Sequence, residues 1–214
     1  NLKKFERSYI DGLAGQALLN TWREYYIKMA DAFAELDPKH RVKWIGPDMS
    51  VRSSITARLM ETWAHGLAIY DALGVVRQDA DRIKNIVVLG INTFNWSFQV
   101  KGQTPPGQLP FIELAAPSGE IWQFGEPNDV SAVSGTASDF CQVVTQTRNI
   151  SDTNLKLIGP VAEAWMSHAQ CFAESYADEA AFDAYVDKVK ADVMAGNLKK
   201  FERSYIDGLA GQAL

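Results

Sequence analysis

The sequence predicts an α+β protein in which a helical bundle is joined to a small α/β domain. Two observations carry that expectation. Apolar residues recur at helical spacing over most of residues 16–98 and again over 161–195. Between these stretches, after Gly102, the texture shifts to short runs punctuated by Pro and Gly. The expected division is a bundle part over 1–102, a small α/β domain over 103–159, and helices over 160–214 that return to the bundle.

From about Gln16 to Leu36 the helical stripe is Leu18, Leu19, Trp22, Tyr26, Met29, Ala30 and Phe33. Asp37-Pro38 ends it, because proline disfavours helical geometry in the residue before it. An extended link, Val42 to Ile45, leads to Gly46-Pro47. The longest helix is expected from about Ser50 to Leu73, stopped by Gly74, which adopts a left-handed C-cap at little cost. Asp79 or Asp81 is the expected cap of the next helix, with the stripe Ile83, Ile86, Val87, Gly90, Phe94 and Phe98. Thr104 to Gly107 is a linker, and Leu109–Ala115 with Glu120–Phe124 reads as a β-hairpin around Pro117-Ser-Gly119. A short strand near Val130–Val133, a helix from about Thr136 to Thr147 and a strand over Leu155–Ile158 follow. Helix then returns over 161–173 and 178–195.

Composition narrows the class. Of 214 residues, 47% are hydrophobic and 22% charged, ordinary values for a globular protein. A net charge of −5 with dispersed basic residues argues against a nucleic-acid partner. No run approaches the ~20 apolar residues of a membrane span, so no membrane partner is expected. Cys141 and Cys171 lie far apart without CxxC spacing, which fits reduced, buried thiols and a cytoplasmic location. The chain begins at Asn1 rather than Met, so its natural start is expected to be absent, processed or rearranged.

One pattern stands outside secondary structure. Residues 1–18 recur without change at 197–214, as in a unit of 196 residues whose ends overlap. Diverged solenoid repeats do not look like this. Both copies carry the same apolar stripe, Phe5, Tyr9 and Leu13 or Phe201, Tyr205 and Leu209, although such a unit has one groove to receive it. The surplus copy predicts a homo-oligomer formed through the duplicated terminal segments.

The chemistry centres on Glu61 and His65, four residues apart in the long helix. At i and i+4 they share a face and can reach one metal ion. The apolar company of Leu59, Met60, Trp63, Ala64, Leu67 and Ile69 predicts a face turned away from water. There both groups need a partner, since burying unpaired polar groups costs roughly 2–7 kcal/mol. A Glu–His hydrogen bond closing a core helix is the plainer alternative. Of the two other histidines, His40 in a charged loop is expected at the surface. His168, between Trp165 and Phe172, is either a partly buried core residue or a ligand. Two His and one Glu form the ligand set of an open zinc site, with a fourth position for water or substrate. Arg58, one turn from Glu61, is a candidate to orient an anionic substrate or to form a structural ion pair. Trp63 is a candidate substrate-binding wall or a core residue. No GxGxxG, P-loop, GxSxG or HExxH motif occurs.

The run from Gly46-Pro-Asp-Met-Ser50 through Thr56-Ala-Arg-Leu-Met-Glu-Thr-Trp-Ala-His-Gly66 to Asp71-Ala-Leu-Gly74 resembles the actinobacterial branch of the maleylpyruvate isomerase/DinB-like superfamily. The likeness continues through Thr104-Pro-Pro106, Asp139-Phe-Cys141, Thr145-Gln146, Asp152-Thr153, Gly159-Pro160, Trp165 and Ala169-Gln170. Its most specific part is the Glu-x-x-x-His helix motif. The resemblance implies a DinB-like helical bundle with a small sterol-carrier-like α/β domain. It also implies a divalent metal, zinc first, held by Glu61, His65 and a further helix-borne His. In the family that His precedes a segment like 174–196, which here follows the C-terminal part, so the order reads as permuted or spliced. His168, six residues before Glu174, stands where the family's first His would stand. The same resemblance also fits 161–173 as an ordinary C-terminal helix, in which His168 is incidental.

The implied function is a divalent-metal-dependent enzyme of the DinB/maleylpyruvate isomerase type, an isomerase or transferase acting on a small-molecule substrate. Its metal would serve as a Lewis acid or activate a thiol or water. A thiol cofactor such as mycothiol is implied by the resemblance. The alternatives are a non-catalytic binding protein for a small apolar ligand and a helical scaffold without a working metal site.

Overall fold

A computed structural model describes residues 11–43 and 48–172. The described residues fall into two compact units, those within 11–58 and those of 59–172. The expected helix over 178–195 and the repeated segments, apart from 11–18, lie outside the described residues.

In the first unit, α1 spans Gly15–Ala34. Its C-terminal half reaches a core, where Met29 and Phe33 pack with Val42, Val51 and Leu36. Leu18, Leu19 and Trp22 of the expected stripe stay exposed. Asp37 turns the chain, its Oδ1 accepting from the Lys39 N–H at 2.7 Å and its carbonyl from the His40 N–H. The extended link then forms β1 (Arg41–Val42), antiparallel to β2 (Met49–Ser50).

Next comes α2, Val51–Leu73, with Ser50 Oγ accepting from the Ser53 N–H at 3.1 Å in its first turn. It ends at Gly74 as expected, with φ +63° there and the Val75 N–H donating back to the Tyr70 carbonyl. From Leu59 onward it belongs to the second unit and buries Met60, Trp63, Ala64 and Leu67. That i, i+3, i+4, i+7 spacing defines one helix face.

A 3-10 turn, Asp81–Ile83, opens α3 (Lys84–Asn92) and α4 (Phe94–Gln99). Neither aspartate caps it: the N-cap is Ala80, while Asp81 accepts from the Ser118 N–H at 3.0 Å. All six residues of the expected stripe are buried, but the helix breaks at Thr93. The Thr93 hydroxyl donates to the Leu89 and Gly90 carbonyls, a back-bond that competes with the helical ladder.

The larger sheet holds β3 (Phe111–Ala115), β4 (Ile121–Phe124), β5 (Ala132–Thr136) and β6 (Lys156–Ile158) in the order β4-β3-β5-β6. The β3–β5 pair is parallel and the other two are antiparallel. Alternation sends Ile112, Leu114, Trp122 and Val133 into the core. Over that core lies α5 (Ala137–Val144), capped by Thr136 Oγ1 accepting from the Asp139 N–H. α5 and α3 approach so closely that a Cβ on Gly90 would fall 2.9 Å from the Val144 methyls.

The last described helix, α6, spans Pro160–Met166 and stops seven residues short of the expected 173. The chain beyond it is committed to long-range bonds instead. Cys171 N–H donates to the Val144 carbonyl, Gln146 Nε2 to the Ala169 carbonyl and Trp96 Nε1 to the Phe172 carbonyl. Trp165 is fully buried against Phe94 and Phe140, with ring centroids 5.2 and 5.8 Å away. Among the described residues no helix is long and apolar enough to cross a membrane.

Candidate functional site

Glu61 and His65 do meet, with His65 Nε2 3.1 Å from Glu61 Oε2. Their face is not the buried one, which corrects the expectation: the His65 side chain is 85% exposed and that of Glu61 40%. The reason is angular. Each residue advances about 100° around a helix, so Glu61 and His65 stand one step past the buried Met60 and Ala64. Glu61 still acts inward. Burial first, and then the Glu61 carboxylate, push the Cys171 thiol far above its ordinary range. Burial, with a smaller contribution from Cys171, does the same to Cys141. Both cysteines are free and buried, as the sequence suggests, and both are held as unreactive thiols.

His168 is placed differently. Its ring stands edge-on to Phe98 at 4.7 Å, and its Nδ1 shares a hydrogen bond with Ser167 Oγ at 3.1 Å. Nε2 is buried and has no hydrogen-bond partner among the described residues. Burial, and then the nearby Lys101 charge, lower its pKa, favouring the neutral ring. The structure does not bring His168 to the Glu61–His65 pair: among the described residues no three His, Cys, Asp or Glu side chains gather into a metal-holding group. The pair supplies two donors of the right chemistry on one accessible face, two of the three protein ligands of an open zinc set.

The two expected substrate-binding residues are both interior. Arg58, in the first unit, is fully buried. Trp63, 8% exposed, anchors a polar knot in the second unit. Its Nε1 donates to Asp79 Oδ1 at 2.8 Å, and its carbonyl accepts from Arg77 Nη1 at 2.6 Å. The Arg77 guanidinium lies 3.8 Å over the Trp63 ring, a stacked cation–π contact. Arg77 Nε also stands 3.0 Å from Asp79 Oδ1, an ion pair without hydrogen-bond alignment. Ser138 Oγ donates to Asp79 Oδ2 at 2.7 Å.

Sequence reasoning missed this knot. It offers Asp79 or Asp81 as a helix cap, although Arg77-x-Asp79 just past the Gly74 stop is a signal of charges held by something other than the helix. Beside the knot is a cleft of about 640 Å³ lined by Tyr70, Val75, Val76, Arg77, Asp79 and Arg148, among others. Arg148 forks onto Asp71 there at 2.6 and 2.7 Å. The volume is in the usual range for small-molecule sites.

The comparisons with known proteins bear on the helical region that carries the Glu-x-x-x-His pair. Residues 11–70 match the family model of the mycothiol maleylpyruvate isomerase N-terminal domain. Uncharacterized proteins from two strains of Mycobacterium tuberculosis, CDC 1551 / Oshkosh and ATCC 25618 / H37Rv, are each 40% identical over 156 residues, 73% of this chain. The chain spans 61% of the length of these curated relatives. No solved structure matches it. Residues 11–70 are thus similar to the mycothiol maleylpyruvate isomerase N-terminal domain, in keeping with the resemblance to the actinobacterial branch of the maleylpyruvate isomerase/DinB-like superfamily.

Proposed function

We propose that the chain is a divalent-metal-dependent enzyme of the DinB/maleylpyruvate isomerase type, in which Glu61 and His65 supply two of the metal's ligands. The observation that carries this reading is the placement of the pair. A carboxylate and an imidazole meet at 3.1 Å on a water-facing helix surface, inside the segment that matches the mycothiol-related family. A third donor is not found among the described residues. Zinc is the preferred ion, given one nitrogen and one oxygen donor. Neither cysteine offers a thiolate, because burial keeps both protonated. A thiol-dependent isomerisation or transfer therefore takes its thiol from a cofactor of the mycothiol class.

On the same reading the protein is cytoplasmic, acts on a small-molecule substrate and self-associates through its repeated terminal segments. Its test is turnover with a low-molecular-weight thiol. Activity is expected to require both thiol and divalent ion and to fall at least about 100-fold in His65→Ala, the scale on which disturbing a metal shell acts. Thiol-dependent turnover undiminished in that variant would contradict the assignment.

A further inference from the structure

The cleft beside the C-terminal end of α2 includes none of Glu61, His65, His168 or the two cysteines, and it lies wholly within the second unit. Its charges cancel in pairs. Asp71 accepts from Arg148 Nη2 on both oxygens, while Arg148 Nη1 donates to the Thr147 carbonyl. Asp79 accepts from Trp63 and Ser138 and is ion-paired with Arg77, whose unpartnered nitrogens are buried beyond a ligand's reach. A charged ligand would therefore give up hydration here and gain no counter-charge. The rest of the wall is of two kinds. Leu67, Tyr70, Val75, Val76 and Pro117 supply apolar groups, and Tyr70, Val75 and Val76 remain 37%, 53% and 81% exposed. Gln142, half-buried on α5, supplies a carboxamide. Its backbone carbonyl is engaged by the Thr147 and Arg148 N–H groups, but its side-chain amide has no hydrogen-bond partner among the described residues.

We propose that the cleft binds an uncharged small molecule that carries an apolar ring and one amide. The Gln142 carboxamide presents a donor and an acceptor in one plane, which a ligand amide answers with an acceptor and a donor. The ring rests on Tyr70, Val75 and Val76, whose exposed apolar surface is then withdrawn from water. The paired charges select against ions of either sign. A ligand carboxylate has no proton to give the Gln142 carbonyl oxygen and finds no free cation in the wall. This inference does not rest on the metal reading.

The test is a calorimetric titration of the full chain with benzamide, set against benzoate, which keeps the ring and adds a charge. Saturable millimolar benzamide binding is expected, with benzoate weaker by at least about tenfold because its charge is desolvated without a partner. Gln142→Leu, which keeps good helix propensity, should weaken benzamide about tenfold, the value of two ordinary hydrogen bonds. Val76→Asp provides an independent arm. Val76 is 81% exposed, so the substitution leaves folding intact and should weaken benzamide several-fold by removing apolar contact. His65→Ala should leave benzamide affinity unchanged, which separates this site from any metal held by the pair. No saturation up to about 50 mM, benzoate binding as tight as benzamide, or indifference to both Gln142→Leu and Val76→Asp would overturn the proposal. So would loss of benzamide binding in His65→Ala.

Discussion

Within one turn of the same helix, α2 carries two polar constellations that behave in opposite ways. The Glu61–His65 pair is one contact of 3.1 Å between a largely exposed imidazole and a half-exposed carboxylate. The Trp63–Arg77–Asp79 knot is buried to 10% exposure at both charged side chains and joined by hydrogen bonds from Trp63, Arg77 and Ser138. Exposed pairs contribute about 0–1 kcal/mol because water screens the charges and two side chains must be held still. A buried, hydrogen-bonded group cannot be removed so cheaply, since its partners are then left in a low-dielectric interior. The fold is therefore indifferent to the pair and dependent on the knot. A polar pair the fold does not need is available for binding, which is why Glu61 and His65 are assigned the metal.

The largest effect expected from this contrast is at Asp79. Replacing it with Ala strands the Arg77 charge, the Trp63 N–H and the Ser138 hydroxyl together, and should cost about 3–5 kcal/mol in a denaturant titration. A loss below about 1 kcal/mol would erase the distinction between the two constellations.

A smaller effect is expected at His168. Burial holds its folded pKa below the ordinary value of 6.5, so the native state takes up a proton less readily than the unfolded chain. Its contribution to stability is complete above about pH 6.5 and is lost as pH falls through the lowered native value. Between about pH 7.5 and 5 the wild type should lose more stability than His168→Gln, measured by urea titration at each pH. Identical pH slopes would show that burial of this ring is not coupled to its charge.

Much of the fold was legible in the sequence because it depends on local spacing. The end of α2 at Gly74, the hairpin around Pro117-Ser-Gly119 and the buried stripe from Ile83 to Phe98 all follow from periodicity and turn chemistry. What was not legible was long-range. Asp79 resembles a cap until Trp63, sixteen residues back, and Ser138, fifty-nine residues on, are seen to hold it. Residues 167–172 continue a helical pattern, yet their carbonyls and amides serve Gln146, Ser97 and Val144. The i, i+4 relation of Glu61 and His65 was correct from spacing, and their exposure was not. Apolar neighbours in sequence set the mean character of a helix, but the buried angle is fixed by which residues meet the core, here Met60, Trp63, Ala64 and Leu67. Whether His168 reached the pair was beyond spacing altogether, and among the described residues it does not.

The central claim, that Glu61 and His65 serve a metal rather than the fold, is tested most directly by measuring zinc content and stability together in one variant. Glu61→Ala with His65→Ala should lose the single equivalent of zinc that the wild type retains after dialysis, while the stability of the metal-free protein shifts by no more than about 1 kcal/mol. A double variant that keeps its zinc, or one whose metal-free form is destabilised by about 3 kcal/mol or more, would contradict the account.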